Sequence, residues 1–405
     1  MRVKSAGAAV ALLLMACGTS GGSVHRASGA RHLTSSPRPT ASPSAPGLLA
    51  LAESQSPQTA SSQQHDALAL VSPTGAVQAE VGFEPRAIPL DAGANPALAS
   101  DVAVSPSGLY YMDGAGVIRR LASDGVVTTT SAFQISSSRQ EVSFAVSPDG
   151  GTVLAAVLTL PALPSSPPSP APASAPRSSF ASQPYVLEVA ASVNGSSPVV
   201  LHRWASLEAP GSALGFDMIR LVGWDQDGPV ALVGGSATLG ASSFAGQTLQ
   251  GGHLANLDPR AGVPTSTVLG GCGVTGASQP WSVSDLGLIV CAGTQTVSVR
   301  DSAGGTLFQA TYPRPQGYGG WFQLSPDGSA LAMAGEVVES SGQTIRLPQN
   351  LHPEGWVDDQ TLVVGLGPGP SSRCHGEQEL ATVELTLPGR ANDLGLCGDF
   401  VGTVT

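Results

Sequence analysis

One hairpin recurs through the chain, and it restricts the fold more than any other feature. "DVAVSPSGLYYMDG" begins at Asp101, "EVSFAVSPDGGTVLAAV" at Glu141 and "GWFQLSPDGSALAMAG" at Gly320. Each is an apolar strand, a Ser-Pro-Asp/Ser-Gly turn and a second apolar strand. The turn residues are Ser105, Pro106 and Gly108; Ser147, Pro148, Asp149 and Gly150; and Ser325, Pro326, Asp327 and Gly328. Proline presets φ, a Ser or Asp side chain bonds nearby backbone, and glycine takes the positive φ that closes a tight reversal. Weaker copies lie at 221–235, 280–293 and 355–367. An aromatic precedes the turn in five of the six: Phe144, Trp224, Trp281, Trp321 or Phe322, and Trp356. A large ring at one recurring place fills the gap between neighbouring sheets.

A second, more polar hairpin alternates with the first, at 116–130, 185–201, 253–269 and 295–312, with fainter versions in "EVVESSGQTIRLP" and "ELATVELTLPG". No run of 12 or more residues carries a helical i, i+3, i+4, i+7 stripe. Inner and outer hairpins together make a four-stranded sheet, and a repeat of such sheets is the signature of a β-propeller. The body from 65 to 405, less a Pro-rich insertion at 161–184, leaves 317 residues. At about 40–45 residues per blade, that suits seven blades, with six as the alternative. The segment "DFVGTVT" (399–405) is expected to join the 67–82 hairpin and close the ring.

The Ser-Pro-Asp-Gly hairpins resemble the WD-like repeats of TolB-type β-propellers, most closely in "FQLSPDGSALAM" (322–333). The basic residue common after the glycine in that family is replaced by Leu109, Gly151 and Ser329, and Ser107 stands for Asp in the first copy. The resemblance implies a fold and not an activity.

The N-terminus reads as an address. Arg2 and Lys4 precede an apolar run from Ala6 to Met15, too short for a spanning helix, which needs roughly 20 residues, but suited to a signal peptide. Leu14-Met15-Ala16-Cys17 resembles the lipobox of bacterial lipoproteins, which implies cleavage after residue 16, a lipid on Cys17, and a chain held at the extracytoplasmic face of the cell membrane. Residues 17–64, rich in Ser, Pro, Thr and Ala, lack apolar periodicity and read as a disordered tether. The mature chain then carries 16 basic and 29 acidic residues, a net charge of −13. It has no lysine, because Lys4 is the only one. That balance argues against a nucleic-acid partner.

Four cysteines follow Cys17. An even count in an exported chain points to two disulfides. Nearest-neighbour pairing, Cys272–Cys291 and Cys374–Cys397, is expected, each within one blade; spacing alone leaves two other connectivities open. There is no CxxC pair to favour zinc.

Catalytic signatures are missing: no Gly-x-Ser-x-Gly elbow, Walker loop, HExxH, dinucleotide fingerprint or sialidase box occurs. Asp149 and Asp327 read as turn formers. Asp225-Gln226-Asp227-Gly228 lacks the Glu that a calcium loop needs at its twelfth position, where Ser236 stands. Asp358 and Asp359 are neighbours on a strand and face opposite ways. Arg119-Arg120 reads as a solvated strand edge. His202, His253, His352 and His375 are dispersed, though a propeller can gather residues from several blades at its channel. The function expected is a monomeric, non-catalytic binding or scaffold module without cofactor, meeting a protein, peptide or glycan at the propeller rim. The alternative is a propeller-type hydrolase or lyase acting on extracellular carbohydrate or lactone.

Overall fold

The computed structural model describes residues 47–405, except 54–66, 84–101, 136–138, 162–182, 209–214, 235, 240–246, 251, 273–278, 281–285, 293–295, 312–321, 349–350, 367–373 and 375–378. Cys17, Trp281, Trp321, His375 and most of the Pro-rich insertion therefore lie outside the described residues.

The chain is all-β and builds seven blades. Blade 1 holds β1 (Leu48–Glu53), β2 (Ala67–Val71) and β3 (Val77–Gly82). Blade 2 is β4 (Val102–Ser105), β5 (Gly108–Met112), β6 (Val117–Leu121) and β7 (Val127–Ala132). Blade 3 is β8 (Gln140–Val146), β9 (Thr152–Thr159), β10 (Tyr185–Val193) and β11 (Val199–Ser206). Blade 4 holds β12 (Ile219–Asp225), β13 (Gly228–Val233) and, after the hairpin β14 (Ser236–Leu239) and β15 (Gln247–Gln250), β16 (His253–Asn256). A short strand β17 (Gln279–Pro280) pairs with β15. Blade 5 holds β18 (Ile289–Ala292), β19 (Thr296–Arg300) and β20 (Thr306–Thr311). Blade 6 is β21 (Gln323–Leu324), β22 (Ala330–Met333), β23 (Glu336–Glu339) and β24 (Thr344–Arg346). Blade 7 is β25 (Leu351–Trp356), β26 (Thr361–Leu366), β27 (Glu379–Glu384) and β28 (Ala391–Cys397). The last strand, β29 (Asp399–Val404), returns to blade 1.

Ring closure departs from the expectation in one respect. β29 does join the sheet that contains the 67–82 hairpin, but its partner is β1, in register Leu48↔Val404, and β1 in turn pairs with β2. The propeller therefore begins inside the span read as a tether (17–64). "LLALAE" is short and sits between Pro/Ser-rich stretches, so its pairing with the far end of the chain is invisible locally. Two chain ends meeting in one sheet leave no unpaired edge at the seam.

Apolar side chains pack between successive blades. Leu68, Leu70, Leu109 and Tyr111 join blades 1 and 2, and Tyr110, Ile118, Phe144 and Val153 join blades 2 and 3. Leu154, Leu187, Leu221 and Leu254 join 3 and 4, with Leu269 and Ile289 extending that cluster to blade 5. Val299, Phe322 and Leu331 join 5 and 6, Ala332, Leu347 and Trp356 join 6 and 7, and Leu51, Val363 and Phe400 join 7 and 1. Three of the recurrent aromatics, Phe144, Phe322 and Trp356, are buried in these seams. Trp224 is half-buried beside one.

Blade 4 departs from the four-stranded pattern. Its outer hairpin (253–269) supplies β16 and a single bridge, Leu257↔Pro264, with no fourth strand among the described residues. The chain turns instead toward blade 5, where Gly270 N donates to Ser302 O. There Cys272 bonds Cys291 on β18, with Cα atoms 5.9 Å apart. This disulfide therefore ties the connection leaving blade 4 to blade 5 and is not confined to one blade. Cys374–Cys397, with Cα atoms 5.5 Å apart, stays within blade 7 and pins the β26–β27 connection to the end of β28.

Candidate functional site

Antiparallel pairing within each blade makes all the innermost strands run the same way around the axis. β29, β4, β8 and β12 touch in succession, as do β21, β25 and β29. The two ends of the ring are therefore different surfaces. At the end where innermost strands finish, the turns are short: 106–107, 147–151, 325–329 and 357–360 after the innermost strands, and 72–76, 122–126, 194–198, 301–305 and 340–343 before the outermost. At the end where innermost strands start lie the long connections: 54–66, 83–101, 160–184, 207–218, 312–322 and 367–378, and the segment carrying β14 and β15.

The short-turn end is built by local chemistry. In blade 3 the Ser147 hydroxyl donates to Asp149 and accepts from Thr152 N at 2.8 Å, while Asp149 Oδ1 accepts from Gly151 N at 2.9 Å. Blade 6 repeats this: Ser325 Oγ donates to Asp327 Oδ1 (2.9 Å), which accepts from Ser329 N (2.9 Å), and Ala330 N donates to Ser325 Oγ (2.9 Å). Gly150 sits at φ +72° against Tyr110 and Ser107 of the preceding blade, where a side chain would have no room. In the first copy Ser107 takes the place of Asp, bonding Ser105 (2.6 Å) and Tyr110 (2.8 Å). Asp225 replaces the serine in blade 4, and its Oδ1 accepts from Asp227 N, Gly228 N and Asn256 Nδ2 at 2.8–3.0 Å. Asp359 Oδ1 accepts from Asp327 N across the seam at 2.9 Å. One oxygen of each of these carboxylates is engaged by turn backbone, with added side-chain donors at Asp149, Asp327 and Asp225, and Asp225 Oδ2 is buried without a hydrogen-bond partner. The Ser147 hydroxyl, then the Gly151 amide, hold Asp149 below the usual carboxylate value. Burial dominates at Asp225 and raises it despite its donors.

Charged groups outside the turns stand on the innermost strands, toward the end where those strands start. Glu141 is the second residue of β8 and is 2% exposed. Neither of its carboxylate oxygens has a hydrogen-bond partner, and burial pushes its pKa up to about 7. It lies on one face with Ser143 and Ala145, opposite Leu158 of β9. On the neighbouring innermost strand stands Arg220, 3% exposed and lowered by burial to about 9, so it remains a cation at neutral pH. Ser143 Oγ accepts from Leu221 N at 3.0 Å and joins the two strands. Across the ring β25 presents His352, whose Nδ1 is buried without a hydrogen-bond partner, and the buried Glu354; Asp399 opens β29. Trp356 Nε1 donates to Gln323 O (3.0 Å) and Thr403 Oγ1 to Trp356 O (2.7 Å), locking blades 6, 7 and 1.

The remaining candidates stay apart. Arg119 pairs with Asp113 at 3.1 Å. His202 stacks near Trp204, with ring centroids 4.1 Å apart, on outer strand β11. Among the described residues, no three His, Cys, Asp or Glu side chains gather closely enough to hold a metal ion. Sequence reading missed Glu141 and Arg220. The available signal is a charge at the head of a strand whose other residues are apolar or small, as in "EVSFAV" and "IRLVGW".

This topology makes the chain a seven-bladed β-propeller. No protein-family pattern matches it, and no curated sequence resembles it. Similar solved structures include the periplasmic gluconolactonase of Pseudomonas aeruginosa: 13% identity, 88% of this chain, 95% of that chain, TM-score 0.40. An oligogalacturonate lyase in complex with manganese (9%, 74%, 78%, 0.40) and a chain of a mitotic checkpoint complex (10%, 73%, 81%, 0.39) are others. Likeness at this level carries no chemistry across.

Proposed function

We propose that the protein is a lipid-anchored, extracytoplasmic binding module, monomeric and non-catalytic, which holds a protein, peptide or glycan partner at the end of the ring where the long connections emerge. The carrying observation is the segregation of connections: short turns close one end and long ones crowd the other. A rigid ring positions loops that can vary freely, which is how such scaffolds present binding surfaces. The anchor rests on the resemblance of Leu14–Cys17 to a lipobox; no helix among the described residues is long and apolar enough to cross a membrane. The test is photo-crosslinking in native membranes, with the probe placed at Ala115 in the 113–116 connection or at Asp124 on the opposite end. Partner adducts from Ala115 alone support the reading, and adducts from Asp124 alone overturn it.

A second reading, a hydrolase or lyase acting on carbohydrate or lactone, is favoured by one observation. The Glu141 carboxyl is poised by burial near neutral pH, where a general acid or base works best. Turnover of a sugar-lactone or oligouronide panel that disappears in Glu141→Gln would replace the first reading.

A further inference from the structure

The apolar side chains that the fold leaves outside are not scattered evenly. Of the large apolar residues exposed among the described residues, all but Leu207 lie at the short-turn end. Blades 1–3 carry six there: Val77, Val126, Val127, Val193, Val199 and Val200, between 39% and 62% exposed. They mark the turns before the outermost strands, and the turns of blades 2 and 3 lie against the outermost strand of the blade before. A Cβ on Gly125 would lie 3.9 Å from Ala79 of blade 1, and one on Gly195 3.4 Å from Thr130 O of blade 2. The valines therefore form a strip along one arc of the rim.

The same arc is where the chain enters the ring. Leu48 pairs with Val404, at the finishing end of β29, so β1 starts at the short-turn end of blade 1. Residues 17–46 must leave from there. They contain Arg26, Arg31 and Arg38 and no acidic residue. Charge divides this end of the ring as well. On blades 4–7 its turns carry Asp227, Asp258, Asp301, Asp327, Asp358 and Asp359 with Arg260 and Arg390, a net negative balance, whereas blades 1–3 carry only Asp124 and Asp149.

From this we propose that the valine strip on blades 1–3 is a docking surface for the lipid bilayer to which the tether is attached, with the acidic blades tilted away and the long connections facing outward. The proposal rests on the lipid-anchor reading. Thirty residues span at most about 100 Å, so docking is an intramolecular event for an anchored chain and needs only a weak contact. The basic segment 17–46 draws the arc toward anionic headgroups, and exposed apolar residues grouped on one arc are a known mark of membrane or protein contact.

The test uses the full mature chain. Cys17 is the one cysteine outside the two disulfides, so its thiol can be coupled to maleimide-headgroup lipid in phosphatidylethanolamine–phosphatidylglycerol vesicles, with a soluble maleimide conjugate as control. Amide exchange over 122–128 and 193–200 is expected to slow at least twofold on vesicles. In Val127→Asp/Val200→Asp the slowing disappears while exchange in the blade interiors is unchanged. Equal exchange in both conjugates, or slowing at 113–116 and 334–335 on the opposite end, overturns the docking surface. Mass spectrometry of the protein from native membranes is a separate readout. An unacylated Cys17 defeats the anchor reading and leaves the vesicle result standing on its own.

Discussion

Glu141 makes a sharp quantitative prediction. Its carboxyl is 2% exposed, sits opposite Leu158 in the seam between blades 3 and 4, and makes no hydrogen bond. Burial lifts its pKa from 4.5 to about 7. The native state then holds a proton that the unfolded chain has lost, so stability attached to this group is complete below pH 4.5. It falls as pH rises toward 7 and stays lost above. At 1.36 kcal/mol for each tenfold difference, the loss is about 3 kcal/mol. Glu141→Gln keeps the shape and removes the titration. Urea unfolding of both proteins from pH 4 to pH 8 reads the difference directly, because every other titrating group cancels at each pH. The two stabilities should run parallel below pH 4.5 and diverge by about 3 kcal/mol by pH 8, with the variant the more stable. For a propeller of this size that is about 4 °C in Tm. An offset independent of pH would show that the native carboxylate has a partner supplied by water or ligand, and the account of a bare buried acid would be wrong.

Deletion tests the seam. Removing residues 17–46 should leave the fold intact, whereas removing 17–64 takes β1 away from both β29 and β2 and should prevent cooperative folding, read by circular dichroism and urea titration. Opening either disulfide by paired Cys→Ser substitution should cost about 3 kcal/mol, since the bridged separations are 19 and 23 residues. Asp327→Ala removes the acceptor for Ser325 Oγ and Ser329 N and should cost about 1–2 kcal/mol in urea unfolding. Gly355→Ala drives a methyl into the Phe400 ring at the seam of blades 7 and 1. Overpacking there should cost about 1–3 kcal/mol and lower Tm.

The repeating hairpins were readable because their chemistry is local. Ser147, Asp149 and Gly150 sit within four positions of one another, and their hydrogen bonds would form much the same turn in any sheet. The nearly continuous apolar runs of β9, β13 and β26, buried on both faces, are equally local, and together with the aromatic before the turn they imply wedges packed about an axis. The candidate site was largely hidden. Glu141 is significant because nothing around it offers its carboxylate a hydrogen bond, and the strand packed against its own, β12, lies far along the chain. Strand β1 is six unremarkable residues that pair with β29 at the far end of the chain, Leu48 with Val404. Sequence alone determined the turns, the strands and the wheel they imply. Tertiary structure alone decided where the wheel closes, where the chain leaves blade 4 for blade 5, which charges the seams bury, and which end carries the long connections. Those properties depend on contacts between residues far apart in the chain, and no local pattern records them.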